Sequence, residues 1–575
     1  MAGIPTKTAS LSPAGLRVLL LLMLLPAGGF SEWSACLAAL FLLLWLLWAM
    51  KKAGALRLPQ SPAFFAALLM ELLFLLSPLW AADRGMAPFG FVKFLPLPLF
   101  LLALEQLDAA GRRSLWDDLP WAGAAMALLS FLLSRVPALA PWFLVNGRLA
   151  GFFQYPNSFA LYLLLGLALL LFGAPVPFPL PEKAGRPLRL VCLLILAAGI
   201  LLSGSRTVFL LLLAVVLFSA WRQQDRRLRF GVPGLGLLAL LALGIWAAAT
   251  GRQQGAGRFL TISLSASTFL GRLLYARDAL PLILGHPLGL GYLGYPLLQG
   301  SVQTGVYSVT HLHNEPLQLL LDVGWLPGIA FLLALVRGFG KQNSPRNRGM
   351  LLLLLGHSLL DFDFQFTSLA LLLMLALDPG GEKSRRIGAR GPVRAAAALL
   401  GAVCLFFGAA SAFHALGRES AAVALYPGHT RARLALLEQA QTAEDMEAQA
   451  RQILRLSDSV SLAHSAMARA AFSRGDFAAV IEEKQAALRL SRYSLTEYLD
   501  YLDMLNVGVA LYRQAGQAES AERLRQEMLA VPEALRQVEE GTSALGRRIA
   551  DQPELTLPEA YRAMIERERE LAVNS

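Results

Sequence analysis

Apolar runs broken by short polar or basic intervals fill the chain up to about residue 416, and after that the pattern changes to short amphipathic stretches. An uninterrupted apolar stretch of about 18 residues or more is long enough to cross a bilayer as a helix. The pattern predicts spans near 15–28, 33–50, 60–82, 89–107, 120–136, 158–176, 188–204, 207–221, 232–250, 315–338, 350–362, 365–379 and 395–416. The first run, "RVLLLLMLLPAGGFSEWSA", has the basic flank and apolar centre of a leader. Another span follows it directly, so it is expected to stay as the first helix. The fold class is therefore all-α: a polytopic membrane bundle of 12–13 spans over 1–416, followed by an α-helical domain over 417–575.

Composition agrees with this reading. Of the 575 residues 56% are hydrophobic, and the mean hydropathy is +0.52. The formal net charge of +11 is unevenly spread. Residues 417–575 hold 19 Lys and Arg against 24 Asp and Glu, a net −5, which leaves the preceding part at +16. Those positive charges sit between spans, where the positive-inside rule accounts for them better than nucleic acid does. The intervals "KKAGALR", "RQQDRRLR", "RGFGKQNSPRNR" and "EKSRRIGARGPVR" are thus assigned to the cytoplasm. The chain must then leave and return between 349 and 382, which two short spans meeting at "DFDFQF" (361–366) satisfy. Parity puts the N-terminus in the cytoplasm. Residues 137–157, 203–206 and 251–314 and the tail after 416 then lie on the outer side of a multi-pass membrane protein. Within 251–314, "GHPLGLGYLGY" (285–295) has glycine and proline spacing suited to tight turns and close backbone approach.

The tail reads as helical hairpins. "AHSAMARAAFSRGDFAAVIEEKQAALRL" (463–490) has the helix, Gly-Asp-aromatic turn and helix of a tetratricopeptide repeat. Residues 501–529 form a weaker copy, and 421–456 a degenerate one. Such arrays bind protein partners through a concave face; the alternative is a generic bundle of helical hairpins.

Charged and titratable groups beside apolar segments are costly and mark candidate chemistry. Arg148, Arg206 and Arg272 fall at the outer mouth by this topology, against the positive-inside trend. Three guanidiniums there suit a phosphate-bearing anion, which they grip bidentately; a lipid-linked diphosphate is such an anion. The alternative for each arginine alone is snorkelling to lipid headgroups. In "THLHNEPLQLLLDVGWLPG" (310–328), Asn314 can cap a helix, Pro316 suits its first turn, and Glu315 complements its dipole. His311 and His313 lie just before that helix start, where one can act as general base and the other support it. Capping-region histidines with satisfied hydrogen bonds are the competing reading. Glu71, Lys93 and Glu105 could line a cavity or proton path, and His357 with Asp361 could pair at one-turn spacing. Cys36, Cys192 and Cys404 are far apart in apolar runs and read as packing residues. HExxH, P-loop, dinucleotide-binding and nucleophile-elbow patterns do not occur. No metal, cofactor or nucleic-acid partner is therefore expected.

Together, "GRLAGFFQYPN", "SGSRTVFLL", "GRLLYARDALPLILGHPLGLGYLGY", "HLHNEPLQLLLDVGWLPG" and "HSLLDFDF" resemble the O-antigen ligase and polymerase superfamily of membrane glycosyltransferases, over about 140–380. The resemblance implies a GT-C-type helical fold, an extracytoplasmic site and an undecaprenyl-diphosphate-linked glycan donor, without metal. By motif, His313 before Asn matches the catalytic base with His311 its neighbour. Arg206 and Arg272 match diphosphate-binding positions, Arg148 less closely, and Asp361 fits a supporting acidic position loosely. The tail lies outside the family pattern, so the acceptor stays open among a glycan, a lipid and a protein. The readings carried forward are transfer to an acceptor hydroxyl in cell-surface polysaccharide biosynthesis, extension of lipid-linked repeat units by a polymerase, transport of a lipid-linked glycan, and an envelope scaffold built on the tail.

Overall fold

A computed structural model describes residues 11–176, 182–222, 267–377, 385–388, 391–549 and 555–573. The expected span at 232–250 lies outside the described residues, as does the start of the 251–314 segment. The described residues are mostly helical. Among the described residues the strands are two short antiparallel pairs, Ala55–Leu58 with Arg385–Gly388 and Leu144–Val145 with Arg148–Leu149.

Helices Glu32–Ala53, Pro62–Leu79, Ala87–Glu105, Ala184–Ser203 and Gly391–Ala415 are long and apolar enough to cross a membrane, the second and third each counting two consecutive helical pieces as one. Shorter apolar helices, Pro156–Leu171, Arg206–Trp221, Trp325–Gly338 and Thr367–Leu377, pack among them. Their starts are encoded locally. Ser61 and Ser344 each accept a hydrogen bond from the third backbone N–H beyond them, and a proline takes the first helical position after each. Pro96 has no N–H to give, and there the expected 89–107 span divides into Ala87–Phe94 and Pro96–Glu105.

The expected single span at 315–338 is corrected to two helices, Glu315–Val323 and Trp325–Gly338. The break is Gly324, at φ 77°, where a Cβ would lie 2.1 Å from the carbonyl oxygen of Pro287. The turn lets the glycine-rich 285–295 stretch dock there. Leu290 and Gly291 donate to the Leu321 and Asp322 carbonyls, and Trp325 N donates to Pro287 O.

One end of the bundle gathers the described basic stretches 51–57, 337–348 and 385–388. There Arg17 pairs with Asp118, Arg346 with Asp117, and Gln106 bonds both backbone groups of Arg57. The opposite end gathers residues 27–32, 77–86, 144–157, 203–206, 285–314 and 358–367, and the candidate chemistry lies there. The main apolar core runs from Leu11 to Ala410. In it Glu32–Ala53 packs along Gly391–Ala415, with Cys36 against Gly408, where a Cβ would lie 2.9 Å away. All three cysteines are buried and free.

After residue 416 the helices pair as hairpins. Ser461–Ser473 packs on Phe477–Leu490, and Leu495–Gln514 on Ala518–Glu540. A second apolar core, from Ala471 to Ile565, holds the later hairpins together. Lys484 is fully buried between them and pairs with Glu497 and Asp500. This assembly rests on the bundle: Arg84 N donates to Leu456 O, Arg492 to Gly300 O, and Ser543 N to Thr304 O.

Candidate active site

The segment 303–314 is irregular and ends at a helix start whose parts match the sequence pattern. Asn314 caps the helix through Leu317 N at 3.0 Å, and its amide nitrogen donates to Leu359 O. Glu315, at the first position, accepts from Phe364 N at 2.7 Å and Gln365 N at 3.2 Å. These bonds clamp the 310–316 turn against the 359–366 turn, so the histidines and the acidic residues face each other.

Asp361 is the centre of the site. Its Oδ1 accepts from Tyr155 OH at 2.7 Å and from its neighbour's Phe362 N at 3.0 Å, and lies 3.2 Å from His313 Nδ1. Its Oδ2 accepts from Asn157 Nδ2 at 2.7 Å and from Arg272 Nη2 at 3.2 Å. Burial pushes the carboxyl up. The hydrogen bond from His313 and the positive charge of Arg272 outweigh it and hold Asp361 well below the usual carboxylate range. A buried, ionised Asp361 thus fixes His313 on one oxygen and Arg272 on the other.

Arg148 stands one step behind. It donates to Ser203 O at 2.7 Å and to Asn157 Oδ1 at 2.6 Å, and so sets the amide that meets Asp361. Ser203 precedes the turn at which Arg206 opens its helix, so Arg148 and Arg206 belong to one corner of the site. The structure brings His313, Asp361, Arg272 and Arg148 into one hydrogen-bonded network. His311 is placed differently: it is buried between the rings of Phe30 and Phe362, at centroid distances of 6.0 and 5.6 Å. Burial, reinforced by the charge of Lys93, pulls its pKa down to about 3, so it is neutral at physiological pH.

The expected His357–Asp361 pair is corrected. The helix ends at Ser358, which takes Asp361 off its face. His357 Nδ1 meets Asp363 Oδ2 at 2.6 Å instead, and Ser158 donates to the other oxygen of that carboxylate. Of the other polar residues in spans, Lys93 donates to the carbonyls of Gly29 and Phe30, and Glu105 pairs with Arg112 at 2.9 Å. Glu71 is buried with neither carboxyl oxygen bonded. Among the described residues no group of three or more His, Cys, Asp and Glu side chains is arranged to hold a metal ion.

Two spaces adjoin the network. A cavity of about 750 Å³ is lined by His313, His311, Tyr155 and Phe362 on one side and by Thr430 and Arg431 on the other. An apolar groove of about 670 Å³ runs between Pro62–Leu76, Trp325–Gly338 and Thr367–Leu377, with Glu315 and Gln365 at its polar end.

Sequence reasoning missed Tyr155 and Asn157, although both stand in the quoted "GRLAGFFQYPN". It also missed Glu32, which accepts from Tyr292, Ser411 and Arg431. No curated protein and no solved structure matches the chain. Residues 191–333, which hold Arg206, Arg272, His311 and His313, match the family described as O-antigen ligase. The chain thus joins helices long and apolar enough to cross a membrane to a segment similar to the O-antigen ligase family, which supports a part in cell-surface polysaccharide biosynthesis at a membrane.

Proposed function

We propose that this chain is a glycosyltransferase of the bacterial cytoplasmic membrane that moves a glycan from an undecaprenyl-diphosphate donor to an acceptor hydroxyl on the outer face, without a metal. The observation that carries the reading is Asp361, which bridges a histidine and an arginine through its two oxygens. His313 donates from Nδ1–H to Asp361, which leaves Nε2 as the base. Nε2 takes the proton of the acceptor hydroxyl while that oxygen bonds to the anomeric carbon. The bond from that carbon to the diphosphate breaks, and its electron pair leaves with the diphosphate. Arg272 and Arg206 stabilise the charge that develops there. Arg148 acts with them by holding Asn157 in place. His311, neutral and ringed by aromatics, supports the turn. The apolar groove suits the polyprenyl chain by its lining.

The positive-inside rule supports a cytoplasmic N-terminus and an outer site, since the described basic stretches 51–57, 337–348 and 385–388 gather at the end of the bundle remote from His313. The proposed division is a membrane domain over 1–416 and an extracytoplasmic tetratricopeptide-like domain over 417–575. The reading favoured is ligation of a finished glycan to a different acceptor. In a strain lacking the gene, long glycan that accumulates on its lipid carrier supports ligation, and loss of long chains marks a polymerase instead. The chemistry is tested in membranes: His313→Ala and Arg272→Ala are expected to insert normally and to lose transfer. Transfer at the full rate in His313→Ala refutes the assigned base.

A further inference from the structure

The cavity beside His313 is lined on one side by Thr430, Arg431 and Leu434, from beyond the last membrane helix. Arg431 donates to Glu32 Oε1 at 2.9 Å, and Thr430 donates to Asp83 at 2.9 Å. Tyr426 donates to Gly85 O at 2.9 Å. These bonds fasten the start of the tail to the rim of the bundle, so the roof of the cavity is a fixed part of it. The lining includes His313, Tyr155 and Phe362, whereas Arg148, Arg206 and Arg272 are not part of it. Asp361 binds Arg272 through Oδ2 and His313 through Oδ1. Arg272 and the cavity-lining His313 therefore meet different oxygens of one carboxylate.

We propose that this tail-roofed cavity is the acceptor subsite, and that Arg431 with Glu32 reads a neutral, hydroxyl-bearing saccharide there. The inference rests on the assignment of His313 as base. At about 750 Å³ the cavity holds a short oligosaccharide end and no folded domain. Its chemistry is that of a sugar site. Phe30, Phe362, Tyr155 and Tyr292 offer ring faces, while Ser308 and Thr310 offer exposed hydroxyls. Arg431 is 44% exposed and donates from Nη1 to Glu32, so the pair presents donors and acceptors side by side with no net charge. An acidic acceptor would meet Glu32 and Asp83, and a cationic one would meet Arg431. The tail thereby supplies a specificity-determining residue to the transfer reaction.

The test uses the full-length protein in lipid nanodiscs. The donor is the lipid-linked glycan that accumulates in a strain lacking the gene. The acceptor is delipidated envelope glycan from the same strain, split by anion exchange into neutral and acidic fractions. Transfer is expected to the neutral fraction. Arg431→Gln removes a contact worth about 1.4 kcal/mol or more and is expected to raise the acceptor KM at least about tenfold. Its kcat should stay within about threefold, the mark of lost ground-state binding. Ser308→Trp, at an exposed position, narrows the cavity and leaves Arg431 and Glu32 unmutated, and is expected to raise the same KM, which guards against Arg431→Gln acting by unseating the tail. An unchanged acceptor KM in Ser308→Trp overturns the location. Transfer only to the acidic fraction, or only to glycan-free peptide, overturns the substrate class. Full activity in His313→Ala refutes the assigned base, whereas the two KM shifts report on the cavity alone.

Discussion

Asp361→Asn is the sharpest single test of the site. All five groups facing this carboxylate are donors: Tyr155 OH, Phe362 N and His313 Nδ1 on one oxygen, Asn157 Nδ2 and Arg272 Nη2 on the other. An asparagine must turn its NH2 towards one set. The cheaper orientation sets it against Asn157 and Arg272, losing two bonds to an ionised acceptor. At about 1.5–3 kcal/mol each the loss is about 3–6 kcal/mol. Arg272 keeps some access to water, with 19% of its side chain exposed, which favours the lower end. The rate should fall further than stability. Without the negative charge His313 is no longer held with its proton on Nδ1, and mispointing a catalytic histidine costs about 10³–10⁴ in kcat, or about 4–5.5 kcal/mol of barrier. The wild-type carboxyl is held below its ordinary range, so its stabilisation is full above about pH 4 and disappears as pH falls through the depressed value. The Asn variant should lack that acid-side loss. The assays are thermal unfolding in nanodiscs across pH and transfer from the lipid-linked donor. A kcat within about tenfold of wild type, in a protein that inserts normally, would refute the role given to Asp361.

His311→Phe keeps the ring contacts and removes a base that stays neutral to about pH 3 in the folded chain. Wild type should therefore lose stability as pH falls below about 6.5, by up to about 1.4 kcal/mol per pH unit, and the variant should lose less, as read from denaturation midpoints at several pH values. Gly300→Ala places a Cβ 1.7 Å from Leu490 O, where the tail crosses the Gly294–Val302 helix. The helix-propensity gain of about 1 kcal/mol is outweighed by a backbone clash of about 1–3 kcal/mol, so faster hydrogen exchange is expected in both segments. Lys484→Ala removes the buried cation between Glu497 and Asp500, which keep Ser465 and Arg469 as partners, and should lower stability by about 1–3 kcal/mol, measured as a fall in the unfolding midpoint of the full chain.

The helices were legible because their cause is local: apolar runs, serine and asparagine caps, and prolines at first turns. His313, Arg148, Arg272 and Asp361 were legible as polar residues in apolar surroundings, and the contacts show three of them reaching the fourth directly or through one amide. What could not be read was partnership across sequence. Tyr155 and Asn157 reach Asp361 from over two hundred positions away, and Arg431 reaches Glu32 from 399. No periodicity encodes such meetings. The choice of Asp361 over Asp363 as partner for His357 failed because it assumed the helix continued past Ser358. The break at Gly324 had a visible signal in "DVGWLPG", where a glycine stands three residues before a proline. Hydropathy averaged over a window conceals it.

Asp361 binds groups from residues 155, 157, 272 and 313, and it is the last of them in chain order. A ribosome that has released the first 360 residues into the membrane has thus delivered every side-chain donor of the network and not the acceptor they share. Until that residue arrives, the guanidinium and the imidazole have nothing to hold them in register. On the proposed reading, a truncated or half-inserted chain is then expected to be inert towards the lipid-linked donor, which guards an activated glycan from loss to water.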